Sequence, residues 1–206
     1  MKKYFDVYPR VFYPSLIFIL GFVFLSILGG NKVRHFFSET SNIITSQTGW
    51  LFILGVNIFL VFCLYIAFSK HGKQRLGGKT AKPEFSVFSW FSMLFSAGMG
   101  IGLLYFSVSE PITHFANPPI PQVLDEDRAI QALNFTFLHY GLHAWAIYCL
   151  VGLGLAYFAF SKKLPFSLRS IFFPVIGRKI FGKTGDYIDI IAVIATLFGL
   201  ATSLGF

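Results

Sequence analysis

Five stretches of this chain, residues 11–29, 49–69, 86–109, 133–160 and 189 onward to 206, have no Asp, Glu, Lys or Arg in their cores. A helix of about 20 apolar residues crosses a hydrocarbon layer about 30 Å thick. Four of the stretches reach that length comfortably, and the fifth runs to residue 206 with Asp189 at its edge. Of the 206 residues, 55% are hydrophobic and only 13% charged, where a water-soluble domain carries about a quarter charged. Too little polar surface remains to coat a globule in water. Lipid is then the solvent, and there the backbone must satisfy its own hydrogen bonds. The expected fold is all-α, a polytopic membrane helix bundle.

Lys2, Lys3 and Arg10 ahead of the first stretch give it the look of a signal peptide. Its apolar run is too long for that and no A-x-A cleavage site follows, so it is expected to stay as a signal anchor. The basic residues are distributed unevenly between the stretches. The N-terminal tail, the second connector (Lys70, Lys73, Arg75, Lys79, Lys82) and the fourth (Lys162, Lys163, Arg169, Arg178, Lys179, Lys183) together hold 14 of the 17. Lys32, Arg34 and Arg128 make up the other 3. Basic residues stay on the cytoplasmic side, which places the N-terminus and those two connectors there. That asymmetry accounts for the net charge of +8 with no nucleic-acid partner. Residues 75–84 read as a turn-rich connector. Residues 165–183 alternate apolar and basic residues around Pro174, and read either as an interfacial amphipathic helix broken at the proline, its cations toward lipid headgroups, or as a basic loop.

Chemistry concentrates in residues 96–103 (SAGMGIGL). Gly98, Gly100 and Gly102 each lower helix propensity by about 1 kcal/mol against alanine. Carriers use helices opened near the membrane midplane to hold ions and substrate on free backbone groups. Gly98 and Gly102 also form a G-x-x-x-G pair, which lets two helices approach closely, so both readings stand. In the fourth stretch, Phe137, Tyr140, Trp145 and Tyr148 fall within a face about 140° wide on a continuous helix. Such a face attracts a quaternary ammonium through the ring quadrupoles, or serves as packing or an interfacial belt.

His139 and His143 lie four residues apart, which is metal-ligand spacing, but no third ligand is evident and no metal site is expected. Hydrogen bonding within the bundle or proton relay is the alternative use for them. Cys63 and Cys149 sit deep in apolar sequence as small packing residues. No acidic residue occupies the core of the first four stretches, which argues against a carboxylate-based enzyme. Thr196, Thr202 and Ser203 offer hydroxyls that either ligate Na⁺ or bond back to the preceding turn.

The run FSAGMGIGLLYFSVSEPITH (residues 95–114), with Tyr105, Glu110, Pro111 and His114, resembles the signature of the betaine/carnitine/choline transporter family. Residues 137–148 (FLHYGLHAWAIY) and 189–205 (DIIAVIATLFGLATSLG) are similar to that family in the same order and spacing. The resemblance implies a secondary transporter of twelve helices: two leading helices, then two inverted five-helix repeats, often assembled as a homotrimer. It implies that Gly98, Met99, Gly100 and Gly102 line the pathway, and that carbonyls near Ser96 and Met99 coordinate Na⁺. Trp145 and Tyr148 match positions of the family's aromatic box, and Tyr140 falls where some betaine carriers have Trp. Gly102 matches the betaine-type pattern, whereas choline-type relatives carry Asp. Thr196 matches a hydroxyl position of sodium-coupled members, but Leu200 stands where its partner hydroxyl is expected, which leaves Na⁺ or H⁺ coupling, or exchange, open. The implied substrate is a trimethylammonium compound such as glycine betaine, choline or carnitine. The implied family continues through seven further helices, so the chain is expected to be the N-terminal part of such a carrier; a truncated or split non-transporting membrane protein, or a His-metal membrane enzyme, are the rival readings.

Overall fold

The computed structural model describes residues 7–78, 80–98, 101–120 and 124–204, which are helical with no strand among them. Helix α1 (Pro9–Phe68) takes in the first two apolar stretches and residues 30–48 between them. A straight helix of its 60 residues would be about 90 Å long, about three hydrocarbon cores. It is not straight. Gly30 leaves the helical region at φ 47°, ψ −127°, a conformation that costs a residue without Cβ little. Beyond it the ring of Phe37 comes within 5.3 Å of Phe22, residues that a straight helix would hold about 22 Å apart. The chain therefore folds sharply at Gly30, with one apolar stretch on each side.

A 3₁₀ turn (Lys70–Lys73) follows, begun by the Ser69 hydroxyl accepting from the His71 amide at 3.1 Å. Turns at Gly77 and Gly78, both at positive φ, then lead toward α2 (Val87–Gly98) and α3 (Ile101–Ala116). The third apolar stretch is thus shared between two helices. Helix α4 (Arg128–Tyr140) meets α5 (Leu142–Ala156) at Gly141, whose φ −86°, ψ −149° is not helical. A Cβ at Gly141 would stand 2.4 Å from the Phe137 carbonyl oxygen, so glycine permits this joint. A π-helical turn (Tyr157–Ser161) ends the run.

Residues 165–183 form short helical turns: a 3₁₀ segment (Leu168–Phe172), α6 (Phe173–Ile176) and a second 3₁₀ segment (Gly177–Phe181). The break expected at Pro174 falls instead at Gly177, at φ 56°. Pro174 lies in the first turn of α6, where a missing N–H leaves no helical bond unmade. Helix α7 (Lys183–Leu204) completes the described chain.

Among the described residues, three helical runs are long and apolar enough to cross a membrane: Pro9–Phe68, Arg128–Ser161 and Lys183–Thr202. The apolar part of α2, Val87–Ser96, is too short alone. Large side chains such as Leu28, Phe68 and Tyr148 are exposed, as expected where lipid replaces water around the helices.

The chain divides into two compact units, one of Met1–Gly55 with Gly154–Gly199, the other of Val56–Leu153 with Leu200–Phe206. In the first, Ile180 and Ser170 are fully buried beside Arg169 and Asp186. Phe22 of α1 packs edge-on against Phe198 of α7 at 4.7 Å. In the second, α3 packs along α4, and Ala132 and Ala146 are buried. The thiol of Cys63 reaches the Ala146 carbonyl at 3.6 Å. Both cysteines are free thiols, Cys63 half-buried and Cys149 exposed.

Candidate functional site

The glycine-rich stretch falls where α2 ends and α3 begins. Gly98 is the last residue of α2 and Gly102 the second of α3, with Ser96 in the last turn of α2. Met99 and Gly100 lie outside the described residues.

The aromatic residues of the fourth stretch divide at Gly141. Tyr140 ends α4, and its ring stacks on Phe106 of α3 at 6.4 Å. Trp145 and Tyr148 lie on α5 with ring centroids 5.9 Å apart. Phe137, Trp145 and Tyr148 are exposed. A single helical wheel does not run through Gly141, so the 140° face drawn from continuous periodicity does not describe these four residues. Two smaller aromatic pairs stand in its place.

His139 does not pair with His143. It meets Glu110, an acid four residues from His114 on α3. Glu110 Oε1 accepts a hydrogen bond from His114 Nε2 at 3.0 Å and another from His139 Nδ1. The expectation that His139 has no third ligand nearby is corrected here: Glu110 and His114 supply two further donor atoms, all within 4.8 Å of one another. The i, i+4 spacing of Glu110 and His114 was legible in sequence. Their approach to His139 depends on α3 packing along α4.

A second polar cluster went unforeseen. Asp189 accepts from both the Arg169 amide (3.1 Å, Oδ1) and its Nε (2.7 Å, Oδ2). Asp186 Oδ1 pairs with Arg169 Nη1 at 3.0 Å. The guanidinium also donates to the Ile180 carbonyl at 3.3 Å and lies 5.3 Å from the Tyr8 ring centroid. Burial opposes the charge on Arg169, but the hydrogen bonds and charges of Asp189 and Asp186 outweigh it and raise its pKa above the ordinary arginine value. Arg169 is therefore a buried tie, not a cation turned toward headgroups. A cavity of 770 Å³ adjoins it, lined by Tyr8, Arg169, Asp189 and Thr196 among others. The Thr196 hydroxyl donates to the Ala192 carbonyl at 2.8 Å, the back-bond to the preceding turn; its oxygen keeps acceptor capacity.

Long apolar helices joined by basic connectors define a helical membrane protein. Residues 10–206 match the family described as BCCT, betaine/carnitine/choline family transporter, and the chain belongs to that family, a family of transporters rather than enzymes. It is 47% identical over 191 residues to a probable glycine betaine transporter of Desulfitobacterium hafniense, covering 93% of this chain and 38% of that protein. It is 42% identical over 205 residues to a glycine betaine transporter of Acinetobacter baylyi, covering 100% of this chain and 31% of that protein. An osmo-dependent choline transporter of the same organism is 40% identical over 195 residues, covering 95% and 28%. The chain thus spans about a third of the length of these relatives.

Proposed function

We propose that these residues are the N-terminal part of a secondary active carrier for a quaternary ammonium compound, with glycine betaine the first candidate. The observation that carries this reading is the family match across residues 10–206, together with similarity to relatives named as betaine and choline transporters. In this reading α2 and α3 are the two halves of a discontinuous helix. Gly98, Met99, Gly100 and Gly102 lie on the pathway, with backbone near Ser96 and Met99 toward the coupling ion. A compact trimethylammonium group spreads its charge over methyls that donate no strong hydrogen bond, so ring faces such as those of Tyr140, Trp145 and Tyr148 suit it. Gly102 leaves no carboxylate there, which suits a zwitterion carrying its own negative charge better than a plain cation. Thr196 is the hydroxyl available to Na⁺; Leu200 offers no second one, so H⁺ coupling is the competing arrangement. The carrier sits in the cell membrane with its N-terminus cytoplasmic, and assembles as a homotrimer.

The test is uptake into vesicles of the purified carrier containing these residues, with radiolabelled betaine, choline and carnitine, under Na⁺ or H⁺ gradients applied separately. Saturable, gradient-driven betaine uptake is expected. Its absence for all three compounds, in protein shown to be inserted, would overturn the reading.

A further inference from the structure

We propose that Glu110, His114 and His139 form a binding site for a divalent transition-metal ion of the zinc type, joining α3 to α4. The site shares no residue with the glycine-rich stretch or with the lining of the cavity beside Thr196. One carboxylate oxygen receives hydrogen bonds from two imidazoles, His114 at 3.0 Å and His139 from the neighbouring helix. The same three atoms can converge on a metal when each imidazole takes the tautomer that turns its lone pair toward Glu110. The three donor atoms lie within 4.8 Å of one another. A tetrahedral ion held at about 2.0–2.1 Å by each ligand needs donor separations of roughly 3.3 Å.

The donor set fits the ion. Two imidazoles with one carboxylate suit zinc and its first-row neighbours, whereas an all-oxygen set would select calcium or magnesium. The site is backed on one side and open on the other: the Glu110 and His114 side chains are 12% and 18% exposed, and His139 is 51% exposed. A fourth position is left for water. Helix α3 carries no Lys or Arg, and the one basic residue of α4 besides histidine, Arg128, is eleven residues from His139. No fixed cation on these two helices opposes a bound one. Binding at His114 Nε2 and His139 Nδ1 needs each neutral ring to carry its proton on the other nitrogen, so that the lone pair faces the ion.

The experiment uses the chelator-stripped protein in detergent or nanodiscs, titrated with Co²⁺ as a spectroscopic probe and then with Zn²⁺. The expected result is one Co²⁺ per chain, with visible bands of tetrahedral or five-coordinate cobalt, displaced stoichiometrically by Zn²⁺. His114→Gln and His139→Gln are each expected to weaken binding at least tenfold. His143→Gln is expected to leave it unchanged, which separates this site from the His139–His143 pair. Circular dichroism checks that the variants stay helical, and Glu110→Gln, which keeps a hydrogen-bonding side chain in place, is the reserve variant. Failure of the wild-type protein to bind either metal below millimolar concentration, affinities unmoved by these variants, or loss on His143→Gln would each overturn the proposal. Because binding is read without transport, its failure does not bear on the carrier reading.

Discussion

At the scale of single residues, the polar side chains are few and highly constrained. Arg169 is buried and tied through its amide and guanidinium to two aspartates. Replacing it with Met leaves both carboxylates facing a gap, and removing one partner of a buried pair costs about 3–5 kcal/mol. Arg169→Met should lower thermal stability in detergent sharply, and a matched Arg169→Met, Asp186→Leu, Asp189→Leu triple change should recover much of the loss. A triple variant no better than the single one would show that the charges are not what ties this segment together. Gly141 carries a different constraint. With the Phe137 carbonyl oxygen 2.4 Å from where a Cβ would be, Gly141→Ala must move the backbone between α4 and α5, while Gly152→Ala meets open space. Melting temperatures of the two variants should differ in that order. If the carrier reading holds, Trp145→Leu should weaken binding of a quaternary ammonium by roughly 0.5–2 kcal/mol through the lost cation–π contact, and Trp145→Phe by less. Isothermal titration with betaine measures both, and unchanged affinity in the Leu variant would assign Trp145 to packing.

At the scale of elements, apolar runs announce that a helix exists, but glycine decides where it turns. Sequence periodicity treated residues 133–160 as one helix and placed four aromatics on one face. The non-helical backbone at Gly141 separates Tyr140 from Trp145 and Tyr148, and nothing in the apolar pattern distinguishes that glycine from Gly152 or Gly154, which remain helical. Gly30 behaves in the same way. Spin labels at positions 22 and 37 should report a short separation in the native chain, because the native rings are 5.3 Å apart. Gly30→Val, which disfavours positive φ, should shift part of the population toward the separation of about 22 Å set by a continuous helix. Distance distributions identical in the two proteins would show that contacts on either side, not Gly30, hold the fold-back.

At the scale of the whole molecule, charge placement makes the testable claim. With 14 basic residues in one set of connectors and 3 in the other, a reporter fused after Lys73 or Arg178 should read cytoplasmic and one after Asp125 external. The opposite pattern would invert the proposed topology. What the amino-acid sequence determined alone was the solvent, the helical class and the family. These rest on properties summed over long runs: uncharged stretches long enough for a bilayer, and motif blocks kept in order. What only the tertiary structure decided was which polar groups meet. Glu110 and His139 are 29 residues apart, and Arg169 and Asp189 are 20 apart; the first pair forms because α3 packs along α4, and the second across a segment that turns at Gly177, at φ 56°. Hydrophobic periodicity is blind to the joints at Gly30, Gly141 and Gly177, because a glycine inside a helix and a glycine at a bend read alike until the folded backbone shows which of them takes non-helical dihedrals.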